Sequence, residues 1–258
     1  MSVLKAEGLV KTFQISEKQR KALGIEEKTK KAVDGISFTA RSGEVFGLLG
    51  PNGAGKTTTM RLLSTLIKPD SGDAFYDDIS VVRQPELVRA RIAFLTMDLK
   101  LDVKSTANTM FDFFAELYHV PKEQAKRRKD ELFEGFHISS FADTKISKLS
   151  QGMKQKVSLA ISVLHDPEFI IFDEPTNGLD IIATRDVRKF ILDMKARSKC
   201  IIISTHLFDL VERICDRAAM IINGKIAAND TIEAFTREKS LEDTFYDIYI
   251  QHNGGVEQ

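Results

Sequence analysis

The sequence contains no tryptophan and only two cysteines. Without tryptophan, intrinsic fluorescence is a weak reporter of any conformational change. The cysteines, Cys200 and Cys215, have no His or Cys partner at metal-ligand spacing, so both read as buried or inert thiols. Long apolar runs are missing too. The longest, Ala218 to Ile222, falls far short of the roughly 18 to 20 residues that a membrane-spanning helix needs. The opening Met1 to Glu7 lacks a basic patch followed by an apolar stretch, so no export signal is expected and the chain should stay in the cytoplasm. Neither sign of charge dominates, with 37 Lys and Arg against 37 Asp and Glu. Zero net charge removes the broad basic footprint of a nucleic-acid scaffold, and no nucleic-acid partner is expected.

What is present is a composition able to bury a large core, with 43% hydrophobic and 29% charged residues in 258. One large domain, with or without an embedded subdomain, is expected. Short β-rich runs at Glu44 to Leu49, Arg91 to Leu95, Phe169 to Asp173, Cys200 to Ser204 and Ala218 to Asn223 alternate with longer helical stretches. This alternation predicts an α/β fold with parallel strands and crossover helices, and the continuous apolar strands predict a sheet covered on both faces. Residues 98–160 differ in character, with helical spacing of Phe111, Phe114, Ala115 and Tyr118 and a charged stretch from Lys122 to Glu134. They read as an inserted α-helical subdomain between core segments 1–97 and 161–258. The aromatic stripe reads as core packing, the alternative being a docking surface for a partner helix, and the two are compatible on different faces. The segment Gln14 to Lys31, with Lys18, Arg20, Lys21, Lys28, Lys30 and Lys31, reads as a solvated loop or frayed hairpin, the alternative being contact with anionic lipid or a membrane partner. The run Lys126 to Lys129 is read the same way.

Gly50, Pro51, Asn52, Gly53, Ala54, Gly55, Lys56 and Thr57 match the P-loop pattern. An apolar strand enters this segment and a helix, beginning with Thr57 and Thr58, leaves it. Backbone N–H groups and the helix dipole then converge on one anion site, Lys56 neutralises β/γ oxygens, and the Thr57 hydroxyl is placed to ligate Mg²⁺. The run Phe169 to Phe172 ends in two carboxylates. Asp173 is placed as the acid near the metal, and Glu174 has the position of a general base for an attacking water.

Together these residues resemble the ATP-binding subunit of an ATP-binding cassette (ABC) transporter, over nearly the whole chain. Leu149 to Met153 looks like the family's signature motif, Asn177 to Asp180 like its D-loop, and Ser204 to His206 like its switch-histidine loop. The resemblance implies a P-loop NTPase fold, RecA-like with an N-terminal antiparallel β region. It also implies ATP and Mg²⁺ as ligands, and two subunits packed head to tail, homomeric or heteromeric, with Ser150 and Gly152 on the partner's γ-phosphate. Phe13 resembles the residue that stacks on adenine, Val33 is expected against the same nucleotide, Asp180 joins the nucleotide site, and His206 is expected at the γ-phosphate edge. A transmembrane permease is the implied partner, with this subunit peripheral on the inner membrane face. The sequence departs from the family at Gln151, where a glycine is usual, and at Met97, where a glutamine usually helps hold the metal. A thioether is a poor Mg²⁺ ligand, so water or Asp98 is expected to substitute, the alternative being a one-residue misalignment or simple tolerance of the change. Met153, Lys154, Gln155 and Lys156, the lead-in Gly47 to Gly50, the basic insertion after Phe13 and the short C-terminus look like bacterial exporters of the NatA type, associated with sodium extrusion. The competing class is a non-transport ABC ATPase acting on nucleic acid or the ribosome, or a nucleotide sensor with little hydrolysis.

Overall fold

The computed structural model describes residues 1–24, 26–96 and 101–253. Met97 and Asp98, where the metal-loop departure falls, lie outside the described residues. The chain opens with β1 (Val3–Gln14), a short helix α1 (Glu17–Leu23) and β2 (Thr29–Arg41). The nucleus follows as β3 (Val45–Leu49) and α2 (Lys56–Leu63). Then come β4 (Ser71–Tyr76), β5 (Ile79–Ser80), α3 (Pro85–Arg91) and β6 (Ile92–Leu95). Three helices, α4 (Ala107–Leu117), α5 (Lys122–Gly135) and α6 (Gln151–Ser162), separate β6 from β7 (Phe169–Asp173). The chain continues through α7 (Ile181–Ala196), β8 (Cys200–Thr205), α8 (Phe208–Ile214), β9 (Arg217–Ile222), β10 (Lys225–Thr231), α9 (Ile232–Phe235) and α10 (Leu241–His252).

Two sheets result. A six-stranded sheet has the order β10-β9-β3-β8-β7-β6, parallel except for β10, and a four-stranded antiparallel sheet has the order β2-β1-β4-β5. Strand alternation divides each central strand between two apolar clusters. Ile170, Phe172, Ile201 and Ile203 face the side that carries α4 to α8, whereas Phe169, Ile171, Cys200 and Ile202 face α2 and the antiparallel sheet. With both faces buried, every position must be apolar, which is why these runs do not alternate in sequence.

The expected strands fall where the apolar runs are, with ends shifted by about one residue. The segment Gln14 to Lys31 is a hairpin, the second of the two readings, with more regular structure than expected: β1 is long, Phe13 lies inside it, and Phe13 and Gln14 pair with Lys30 and Thr29 across a hairpin whose connection carries α1. Backbone pairing, which the charged side chains do not obstruct, extends the ladder through this stretch. In the region after β6, Phe111 and Ala115 are buried in the core while Phe113 and Leu117 are exposed, as an amphipathic helix requires. Among the described residues, no helix is long and apolar enough to cross a membrane.

Candidate functional site

The site forms where β3, β7 and β8 end side by side. Because β7 and β8 are adjacent and parallel, Asp173 is in register with Ser204, and the residues after each strand, Glu174 and His206, emerge together. The loop after β3 is pressed tightly against its surroundings. A Cβ on Gly50 would stand 2.3 Å from the Ile221 carbonyl oxygen. Gly55, the N-cap of α2, has φ of 111° and would bring a Cβ to 2.3 Å from the Ala32 carbonyl oxygen. Only glycine meets both demands.

Lys56 is buried, and its Nζ donates to the carbonyl oxygens of Gly50 at 2.7 Å and Pro51 at 3.2 Å. It also lies 3.6 Å from Glu174 Oε1. Burial pulls the Lys56 ammonium below its usual pKa, against the opposing pull of the Glu174 and Asp173 carboxylates. Thr57 Oγ1 donates to Asp173 Oδ1 at 3.2 Å, and the Ser204 hydroxyl donates to the same oxygen. Two hard oxygen donors thus sit at the start of α2 and the end of β7.

Glu174 is held from three directions. Its backbone N–H donates to the Ser204 carbonyl oxygen at 3.0 Å, at a left-handed φ of 52°. That conformation is uncommon for a residue with a Cβ and marks a constrained position. His206 Nδ1 is 3.1 Å from Glu174 Oε1, while Glu174 Oε2 is buried with no hydrogen-bond partner among the described residues. A buried carboxylate oxygen left unsatisfied is costly, and it is satisfied by any donor that enters beside it.

A cleft of about 290 Å³ opens over these groups, lined by Phe13, Pro51, Asn52, Gly53, Gly55, Lys56, Thr57, Thr58, Glu174 and His206. The structure therefore gathers most of the expected residues around one space. Gly50 is packed beneath the loop, and Ala54 is buried there. Val33 does not line the cleft. It is fully buried in the core under β2, because strand alternation turns Lys30 and Ala32 outward in its place. Lys30, Ala32 and Asn177 line the cleft and were missed by sequence reasoning; the pairing of Phe13 with Lys30 is the signal that would have found the lysine.

Ser150, Gly152 and Asp180 lie outside this cleft's lining and form a second group. Ser150 caps α6, accepting from the Met153 N–H at 3.2 Å, and Asp180 caps α7, accepting from the Ala183 N–H at 2.8 Å. A Cβ on Gly152 would meet Ala183 at 3.0 Å and Asp180 Oδ2 at 3.7 Å, so the two helix starts adjoin. Gln151 is the first residue of α6 and is exposed.

A parallel sheet whose central strand feeds a glycine loop and helix, with two acids at the end of the strand next but one to it, defines a P-loop nucleoside-triphosphate hydrolase. Comparison with known proteins narrows this. The ABC transporter family model matches residues 33–177, more than half of the chain. The ABC transporter ATP-binding protein NatA of Bacillus subtilis is 36% identical over 221 residues, covering 85% of this chain and 90% of that protein. The Nod factor export ATP-binding protein I of Paraburkholderia xenovorans is 37% identical, over 81% of this chain and 67% of that one. A solved ATP-binding subunit of an ABC transporter superposes with a TM-score of 0.82 at 25% identity, covering 95% and 99% of the two chains. The chain belongs to the ABC transporter ATP-binding family. It is an ATP hydrolase that powers transport.

Proposed function

We propose that the cleft binds Mg·ATP and that Glu174 is the general base of its hydrolysis, in a subunit on the inner membrane face that closes head to tail on a second one and drives export. The observation that carries this reading is the unpaired, buried Glu174 Oε2, aimed by the His206 and Lys56 contacts on the other oxygen. Phe13 offers a 42% exposed ring for adenine, and stacking needs only its π-face. The loop's backbone amides, the start of α2 and Lys56 receive the β- and γ-phosphates.

The Thr57 hydroxyl and the Asp173 carboxylate would hold Mg²⁺. Among the described residues, no group of three or more His, Cys, Asp or Glu could hold a metal, which suits an ion that takes one or two protein oxygens and completes its shell with phosphate and water. When bound, the metal supplies positive charge against the phosphate oxygens. The protein's own part is proton transfer and orientation. Glu174 accepts the proton of a water whose oxygen bonds to the γ-phosphorus as the bond to the β,γ-bridging oxygen breaks, leaving ADP and phosphate. His206 keeps that carboxylate aimed and lies at the γ-phosphate edge. Ser150 and Gly152, with the first turn of α6, supply an uncharged anion site to the partner's nucleotide.

The export reading rests on relatives whose names differ in cargo. NatA, the Nod factor export proteins and daunorubicin resistance proteins of Streptomyces coeruleorubidus match this chain with similar identity. Cargo choice, sodium or small molecule, accordingly belongs to the permease. The test is Glu174→Gln in the full chain. Turnover should fall at least about 100-fold while ATP affinity is retained, and light scattering should show an ATP-dependent dimer that ADP does not produce. Turnover within a few-fold of wild type would remove Glu174 from the role of base.

A further inference from the structure

Lys30 is set apart from the other cations of the basic stretch after Phe13. It sits on the same rung of the β1–β2 ladder as Phe13, the two residues facing each other across the antiparallel pair. Both line the cleft over the glycine loop. The Lys30 Nζ stands 3.8 Å from the position a Cβ on Gly53 would occupy. Other cations of that stretch are engaged elsewhere: Lys31 pairs with Asp34 at 3.1 Å, and Lys21 pairs with Glu17 at 2.9 Å. The Lys30 ammonium has no hydrogen bond or ion pair among the described residues.

An ammonium held at the rim of an anion site with no carboxylate to neutralise it is in the right place to meet a charged ligand. Lys56 approaches the same loop from within, tied to the carbonyl oxygens of Gly50 and Pro51. Lys30 approaches from the solvent side, beside the ring that is the expected base platform. The two ammonium groups thus bracket the loop from opposite sides.

We infer that Lys30 is a second cation of the nucleotide site, pairing with the outward-facing oxygens of the bound polyphosphate. This rests on the reading of the cleft as the ATP site. The contact is charge-assisted but solvent-exposed, so salt screens it and its contribution is moderate. It also gives the hairpin after Phe13 a role in binding, since the turn carrying α1 holds the Lys30 rung in register.

The experiment measures binding of ADP, ATP and adenosine to the full chain by calorimetry at two ionic strengths, for wild type, Lys30→Gln and Lys30→Arg. Lys30→Gln should weaken ADP and ATP alike by about five- to ten-fold, leave adenosine unchanged and flatten the salt dependence. Lys30→Arg should stay within about three-fold of wild type. Equal ADP affinity and an equal salt slope in Lys30→Gln would overturn the inference while leaving the site reading intact. So would an equal loss for adenosine, which would make Lys30 a support for the Phe13 ring. Wild-type protein that binds none of the nucleotides would instead defeat the site reading itself.

Discussion

At the scale of single residues, the glycine loop is fixed by space as much as by sequence. Gly55 combines a left-handed backbone with a carbonyl oxygen where a side chain would begin. Gly55→Ala is expected to cost at least about 3 kcal/mol, from the positive φ and the displacement of β2, measured as a lowered urea midpoint. Alanine tolerated within about 0.5 kcal/mol would mean that the loop can shift away from Ala32. The loop and the two acids were legible because their chemistry demands particular residue types in a particular order. Val33 and Lys30 were not. Which of two neighbouring strand residues faces a cleft depends on register, and the register shifts along β1 and β2 are invisible in the residue names. Asn177 was read only as part of a loop motif, and its place in the cleft lining follows from the short turn after Glu174, in which the Asn177 backbone N–H donates to the Glu174 carbonyl oxygen at 3.2 Å.

At the scale of elements, strands buried on both faces announce themselves, whereas polar ones do not. The outer ends of β1 and β2 carry charged residues, and only their cross-strand partners make them a sheet. The bridge that His165 makes between Tyr118, just after α4, and the start of β6 is another feature that no local pattern reveals. There the His165 ring stacks on Tyr118 with centroids 4.2 Å apart, and its Nε2 is 3.1 Å from the Ile92 carbonyl oxygen at the start of β6. Its Nδ1 is buried with no partner among the described residues. Burial lowers the His165 pKa, the Ile92 carbonyl and Asp166 pull it up, and Arg128 and Lys199 add to the lowering. The sign follows directly. With the folded pKa below the unfolded value of about 6.5, the unfolded chain binds the proton more readily, so this contribution to stability is present above about pH 6.5 and is lost as pH falls below it. The melting temperature should therefore drop between pH 7.5 and 5.5, and His165→Gln, which cannot titrate, should drop less. Identical pH profiles for the two proteins would show that His165 carries no part of the acid sensitivity.

At the scale of the whole molecule, the exposed apolar residues are informative where they adjoin polar helix starts. Ile181 and Ile182 are 88% and 73% exposed at the beginning of α7, beside Asp180 and the Ser150–Gly152 turn. Large aliphatic side chains this open, next to a helix start suited to anions, fit a seam that a second subunit covers. Ile181→Asp puts a charge into that seam while an acid in the first turn suits the helix itself. Its melting temperature should stay within about 2 °C of wild type while ATPase activity falls at least about ten-fold, with ATP-dependent dimerisation lost in light scattering. Full activity with the charge in place would put the subunit contact elsewhere.

The apolar cluster on the helical side of the sheet runs without a break from Phe172 and Ile203 in the strands to Phe111, Phe136 and Leu149 outside them. Phe190 of α7 bridges the two, its ring centroid 4.7 Å from that of Phe136 and 6.4 Å from that of Phe172. A protein engineer wishing to transplant the α4–α6 segment into a relative cannot therefore cut at the chain crossings alone. The graft must bring its matching surface from α7 and the sheet, or the recipient will be left with an open oily wound where Phe136 used to rest.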